Sequence, residues 1–152
     1  MKKVAILMGS ESDRAVLETS LPYYEFFGIP VEMHVMSAHR TPGKVHDFAG
    51  KARENGYGVI VACAGMAAHL PGVVAAYTTL PVIGVPLASG ELNGVDSLYS
   101  IVQMPAGVPV ATMGIGKSGA RNAAVLAAEI LGLSDEAIAQ KLTRFKQQEC
   151  KI

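Results

Sequence analysis

Short runs rich in β-branched residues recur along the chain at nearly regular intervals, and a helical pattern fills each interval. The runs begin 28, 28, 23 and 26 residues apart, which suits strands joined by helical crossovers to parallel neighbours. The pattern therefore predicts an α/β, doubly wound, mainly parallel sheet of five strands with helices on both faces. The predicted strands are Lys3 to Met8, Val31 to Met36, Val59 to Cys63, Val82 to Val85, and Val108 to Met113.

Helix ends are marked by capping residues and by glycine. A first helix is predicted from Ser10 or Ser12 to Gly28, and a second has Thr41 as N-cap, Pro42 as its first residue and Gly56 at its close. A third helix should follow the loop at 65–71. The remaining predicted helices run from Val95 to Met104, from Ser118 to Leu131, and over about 134–148.

The last predicted helix carries an apolar stripe formed by Ile138, Leu142 and Phe145. These residues recur at the spacing of one helix face. Because this helix follows the last strand of the sheet, we expect that another surface must cover the stripe.

The composition indicates one soluble domain that assembles with copies of itself. At 152 residues the chain has the length of a single domain, 1–152, and its formal net charge of zero lacks the basic excess of a general nucleic-acid or anionic-membrane binder. Charged residues make up 17% of the chain, against about 25% in a typical soluble domain. So little charge to cover a monomer's surface favours an oligomer.

A stretch of 36 residues, 55–90, contains no Asp, Glu, Lys or Arg. Glycine and proline interrupt it too often for a membrane span, so it predicts buried protein. The first residues resemble a signal peptide only in their charge, and Cys63 and Cys150 lie too far apart in sequence to suggest a disulfide framework. A cytoplasmic location is expected.

The loop after the first strand has the character of a phosphate site. Gly9 allows close approach of the backbone, Ser10 and Ser12 supply hydroxyl donors, and the helix that starts at this point favours an anion. The alternative is an ordinary capped helix start, with Ser10 as the cap and Asp13 completing it.

The loop after the second strand combines phosphate binding with proton transfer. Arg40 offers a planar fork for a phosphate, Ser37 adds a donor, and His39 beside them is a side chain suited to proton exchange near neutral pH. A solvated or structural histidine is the alternative for His39. His34 and His46 fall within a strand and a helix and are predicted to be structural or surface residues.

The loop after the third strand contains Ala64, Gly65 and His69. His69 lies in the charge-free stretch, so we expect it to be partly buried and hydrogen-bonded, in either a structural or a catalytic role. Backbone amides following Gly65 could hold a carboxylate or carbon dioxide without a charged side chain.

Two glycine motifs near the last strand do not support nucleotide-cofactor binding. The run Gly114 to Gly119 matches a dinucleotide fingerprint but follows the last strand, and Ala111 stands where an ATP-binding P-loop needs glycine. The histidines and cysteines show no close metal-ligand spacing, so no metal site is predicted.

Four motifs in order along nearly the whole chain resemble the N5-carboxyaminoimidazole ribonucleotide mutase family. They are Gly9-Ser10-Glu11-Ser12-Asp13, Ser37-Ala38-His39-Arg40-Thr41-Pro42, Ala67-Ala68-His69-Leu70-Pro71-Gly72, and the run from Asp96 to Pro105. The resemblance implies a flavodoxin-like fold, a homo-octamer whose C-terminal helix reaches a neighbouring subunit, and a role in de novo purine synthesis.

The resemblance also implies a reaction and a set of site residues. A carboxyl group would move from exocyclic N5 of an aminoimidazole ribonucleotide to ring carbon C4, through trapped carbon dioxide and without ATP, metal or organic cofactor. His39 would be the general acid/base, and His69 a second catalytic residue. Asp13 would bind the ribose, and the other substrate-binding residues would be Gly9, Ser10, Ser12, Ser37, Arg40, Ala64, Gly65 and Leu70.

Three other readings remain open at this point. A related family branch carboxylates aminoimidazole ribonucleotide directly with carbon dioxide, although Arg40 and the His69 to Gly72 run favour the mutase. A phospho-receiver would need carboxylates where Gly9 and Ala64 stand. A flavin carrier would be yellow when purified.

Overall fold

The computed structural model describes residues 2–152 and contains one five-stranded sheet. All strand pairs are parallel, and their order across the sheet is β2-β1-β3-β4-β5. The predicted doubly wound parallel sheet is therefore confirmed. The strands are β1 at Lys3–Met8, β2 at Val31–Val35, β3 at Tyr57–Gly65, β4 at Val82–Leu87 and β5 at Ala111–Thr112.

Seven α-helices connect and flank these strands in the described part of the chain. A short 3-10 turn at Glu11–Asp13 comes before the first α-helix, and another at Glu18–Ser20 lies between the first and the second. The helices are α1 at Arg14–Leu17, α2 at Leu21–Phe27, α3 at Pro42–Lys51, α4 at Leu70–Tyr77, α5 at Val95–Val102, α6 at Lys117–Gly132 and α7 at Glu136–Gln147.

The core has two layers, one on each face of the sheet. Alternate residues of β1 and β3 point to opposite faces, with Ile6 and Val61 in one layer and Leu7 and Ala62 in the other. The first layer packs against α2, α6 and α7, and the second against α3, α4 and α5. This double burial explains why the stretch at 55–90, which includes β3 and β4, carries no charge.

The first helix and the last strand differ from their predictions. The single helix expected up to Gly28 is broken into 3-10 and α segments, because Pro22 lacks an N–H and is accommodated only in the first turn of α2. β5 pairs through two residues instead of the six from Val108 to Met113. It is an edge strand, and Pro109 just before it cannot donate a ladder hydrogen bond.

The apolar stripe of α7 packs against its own chain. Ile138 and Phe145 are 1% and 2% exposed, and the Phe145 ring lies 5.4 Å from the Phe27 ring and 6.2 Å from that of Tyr23, measured between centroids. The stripe is therefore covered, as expected, and the surfaces that cover it are α2 and α6 of the same chain. Contact of α7 with a neighbouring subunit remains a prediction.

Phe145→Ala should lower the free energy of unfolding by about 3 to 5 kcal/mol, because it removes a ring packed between three aromatic neighbours of the same chain. Urea unfolding measures this change. Leu133→Ala is the control, since Leu133 is 89% exposed. Equal, small effects of both substitutions would contradict the packing described here.

Candidate active site

A cavity of about 460 Å³ opens at the carboxyl edge of the sheet, where the loops after β1, β2, β3 and β4 converge. In a doubly wound sheet this edge is where ligands bind, because the connections after β1 and β3 leave towards opposite faces and open a crevice between them. The cavity is lined by Gly9, Ser10, Ser12, Asp13, Ser37, Ala38, His39, Arg40, Ala64, Gly65, Met66, Ala67, His69, Leu70 and Ser89.

The loop after β1 presents two hydroxyl groups and one carboxyl group. Ser10 caps the 3-10 turn by accepting a hydrogen bond from the backbone N–H of Ser12, and the two hydroxyl oxygens lie 2.9 Å apart. Burial raises the pKa of the Asp13 carboxyl above its ordinary value, while backbone hydrogen bonding at Ser10 opposes the shift. Ser10 therefore acts as the predicted cap and still faces the cavity.

The loop after β2 is held by hydrogen bonds within the loop. The Ser37 hydroxyl oxygen accepts from the backbone N–H groups of His39 and Arg40, at 3.3 and 3.1 Å. Thr41 accepts from the Ser37 backbone N–H at 2.9 Å and donates its own hydroxyl to the Ser37 carbonyl. These contacts fix the backbone, while the side chains of His39 and Arg40 remain exposed.

His39 and His69 meet across the cavity although 30 residues separate them. Nε2 of His39 lies 2.7 Å from Nδ1 of His69, and the rings cross at 78° with centroids 4.7 Å apart. The expected hydrogen bonding of His69 is confirmed, but its expected burial is wrong, because His69 precedes α4 at the open mouth of the cavity.

The loops after β3 and β4 form the uncharged end of the cavity. Ala64 is buried, and a Cβ at Gly65 would collide with the Ser89 hydroxyl. Met66 next to it adopts a left-handed backbone, with φ at 54°. A side chain at position 65 would therefore force the Ser89 hydroxyl to shift.

All eleven predicted site residues line this one cavity, while their individual roles remain predictions. Four residues outside the predicted set also line it: Ala38, Met66, Ala67 and Ser89. Ligand-binding residues are expected after the carboxyl ends of parallel strands, and applying that expectation to β4 as well as to the first three strands would have predicted Ser89.

The other singled-out features lie elsewhere. His34 is on β2, where its Nε2 lies 3.1 Å from the Tyr57 hydroxyl, and His46 on α3 is exposed beside Asp47. Gly114 to Gly119 leads into α6 and does not line the cavity. Between residues 2 and 152, no cluster of three or more potential metal ligands occurs, and no helix is both long and apolar enough to cross a bilayer.

The whole sequence matches one family. The family model described as AIR carboxylase aligns with residues 3–151. The chain belongs to the AIR carboxylase family. Together with the relatives described next, this match confirms the family resemblance found in the motifs.

Several named proteins are similar to this chain over most of their length. A protein of Escherichia coli K12 named N5-carboxyaminoimidazole ribonucleotide mutase is 54% identical, with 97% of this chain and 87% of that protein covered. A Pyrococcus abyssi protein of the same name is also 54% identical, covering 97% of this chain and 83% of its own.

A solved family member confirms the flavodoxin-like architecture. The crystal structure of PurE from Treponema denticola superimposes with a TM-score of 0.88 at 29% identity, covering 99% of this chain and 92% of that one. A 3-dehydroquinate dehydratase-like protein of Bifidobacterium longum, at 16% identity and a TM-score of 0.57, shares the fold alone.

Asp13→Asn should raise the free energy of unfolding of this chain near neutral pH. The carboxyl pKa is higher in the folded state than in the unfolded state, so the folded state binds more protons between the two values and loses stability as the pH rises through them. Asparagine removes that cost. Thermal unfolding between pH 7 and about pH 4 should show a gain that shrinks as the pH falls.

Glu54→Gln serves as the control for Asp13→Asn, because Glu54 is exposed in the turn that follows α3. It should change the unfolding temperature little at either pH. A loss of stability in Asp13→Asn at neutral pH, or a gain that grows on acidification, would contradict the assigned cost of burying this carboxylate.

Proposed function

We propose that this chain is an isomerase, 5-(carboxyamino)imidazole ribonucleotide mutase, of de novo purine synthesis. It moves the carboxyl group from exocyclic N5 to ring carbon C4 and yields 4-carboxy-5-aminoimidazole ribonucleotide. The observation that carries the proposal is the 50 to 54% identity, over 97 to 99% of this chain, to relatives named for that reaction. Direct carboxylation of aminoimidazole ribonucleotide is the second candidate, because the family model itself is described as AIR carboxylase.

The phosphate and ribose belong, in this proposal, at the β1 and β2 side of the cavity. Arg40 has no ion pair with any group among residues 2–152, so its guanidinium is free to bind a phosphate through two parallel hydrogen bonds. The hydroxyls of Ser10, Ser12 and Ser37 add uncharged donors. Asp13 accepts hydrogen bonds from the ribose hydroxyls, and Gly9 and Leu70 complete the substrate surface.

His39 is the general acid and base of the proposed reaction. It protonates the carbamate nitrogen as the N–C bond breaks, which makes the nitrogen a better leaving group. The electron pair of that bond stays with the nitrogen and carbon dioxide leaves. The hydrogen bond between His39 and His69 supports this role, since His69 orients the His39 ring and exchanges a proton with it.

Carbon dioxide stays beside Ala64 and Gly65 while the enamine-like ring carbon attacks it. The new C–C bond forms at C4, and the C4 proton returns to His39, so atoms and charge balance without ATP, metal or an organic cofactor. Holding carbon dioxide against its acceptor replaces a second-order encounter.

The setting of the enzyme follows the same proposal. We place it in the cytoplasm as a homo-octamer of chains that each form the single domain 1–152 of the sequence, with neither nucleic acid nor membrane as a partner. The formal net charge of zero and the small share of charged residues support this assembly.

The deciding experiment compares two substrates without ATP or metal. The N5-carboxy isomer should be converted rapidly to the C4-carboxy product, and aminoimidazole ribonucleotide with bicarbonate should react slowly. A preference for bicarbonate would assign the chain to the direct carboxylases. Activity on neither, with substrates validated by an authentic enzyme, would refute both reactions.

His39→Asn should lower kcat by about 100- to 10,000-fold, the usual contribution of a positioned acid or base, while the Kd for the nucleotide product stays near that of wild type. Single-turnover kinetics and calorimetric titration measure the two quantities. Normal turnover in this variant would overturn the assignment.

Arg40→Ala is the matched comparison, because Arg40 is the next residue in the same exposed loop. It should weaken nucleotide binding by about 10- to 100-fold, as expected for lost hydrogen bonds to a charged group. Unchanged affinity in Arg40→Ala would remove the phosphate assignment and leave that of His39 intact.

A further inference from the structure

The uncharged end of the cavity contains one hydroxyl group whose function is unassigned. Ser89 follows β4 by two residues and lines the cavity together with Ala64 and Gly65. It is half-buried, and its hydroxyl makes no hydrogen bond with any group of residues 2–152. A donor in this state is available to a bound molecule.

The backbone around Ser89 is fixed by neighbouring contacts. Gly65 pairs with Leu87 in the β3–β4 register, which brings the two strand ends side by side. The buried Ser97 hydroxyl of α5 shares its one hydrogen between the Leu87 carbonyl at 3.0 Å and the Gly94 carbonyl at 2.9 Å, so it links the end of β4 to α5, and the Leu98 N–H donates to the Gly94 carbonyl at the other end of the loop. The loop is therefore anchored on each side of Ser89.

The missing side chain at Gly65 leaves the Ser89 hydroxyl uncovered. A Cβ at Gly65 would overlap the Ser89 oxygen and lie 3.2 Å from the Leu87 carbonyl. Glycine at this position thus opens a path between the β3 loop and the hydroxyl. It is the same β3 loop at which the proposed function places carbon dioxide.

We propose that the Ser89 hydroxyl donates a hydrogen bond to the carboxyl group while that group moves between N5 and C4. This inference rests on the proposed function. Between residues 55 and 90 there is no Lys or Arg, so the loops after β3 and β4 offer the carboxyl group no lysine or arginine side chain. A neutral donor orients a carboxylate oxygen and still releases neutral carbon dioxide, whereas a cation would favour the charged starting carbamate.

Two substitutions separate hydrogen bonding from shape. Ser89→Ala removes the donor, and Ser89→Cys keeps a side chain of similar size whose S–H donates weakly. Ser134→Ala is the control, because Ser134 is exposed at the start of the α7 cap, outside the cavity. All variants are compared as the full chain with the N5-carboxy isomer as substrate.

Three quantities are measured for each protein: kcat, the Kd for aminoimidazole ribonucleotide, and the fraction of substrate that escapes as aminoimidazole ribonucleotide and carbon dioxide, after subtraction of the enzyme-free reaction. Both Ser89 variants should lose about 10- to 100-fold in kcat, show a larger escaping fraction, and keep the wild-type Kd. Ser134→Ala should match wild type in all three.

Wild-type kcat and escaping fraction in Ser89→Ala would overturn the inference, and so would full recovery in Ser89→Cys. Both outcomes leave the mutase proposal standing, because wild type still converts the isomer. Failure of wild type to convert it would overturn the proposed function, and this inference with it.

Discussion

Parallel backbone pairing among strands that are covered on both faces is the constraint on which the rest of the molecule depends. β1, β3 and β4 are paired in the interior of the sheet, so the side chains along most of their length are buried on both faces. Apart from Lys3 at the start of β1, they carry no charged side chain, and neither does the chain that connects β3 to β4. Polar chemistry is then confined to the strand ends, and parallel direction brings those ends to one edge.

At that edge, the hydrogen bonds that hold the loops leave the guanidinium of Arg40 free. Ser37 and Thr41 close the β2 loop, Ser10 caps the turn after β1, and Ser97 anchors the loop after β4. None of these contacts uses Arg40 or His39 through its side chain. This arrangement would suit the proposed reaction, in which the pocket binds an anion at one side and an uncharged intermediate at the other.

Sequence periodicity predicts the sheet well, because a buried strand is apolar in sequence regardless of which strands lie beside it. It also brings His39 and His69 to the same edge. It does not predict their 2.7 Å contact, since the distance between residues 30 apart in sequence depends on how α4 packs. Likewise, the stripe on α7 shows that Phe145 is buried, but only the packed structure shows that α2 covers it. β5 falls short of its pattern because prolines limit pairing at an edge.

The hydrogen bond between the two imidazoles holds one proton between their facing nitrogens. Along the line from Nε2 of His39 to Nδ1 of His69 there is room for one hydrogen, because a second would place two N–H donors against each other. An isomerisation needs no net proton, because substrate and product have the same formula. A pair that lends a single proton and recovers it has the capacity such a reaction requires, and each turnover leaves the surrounding solution at the same acidity.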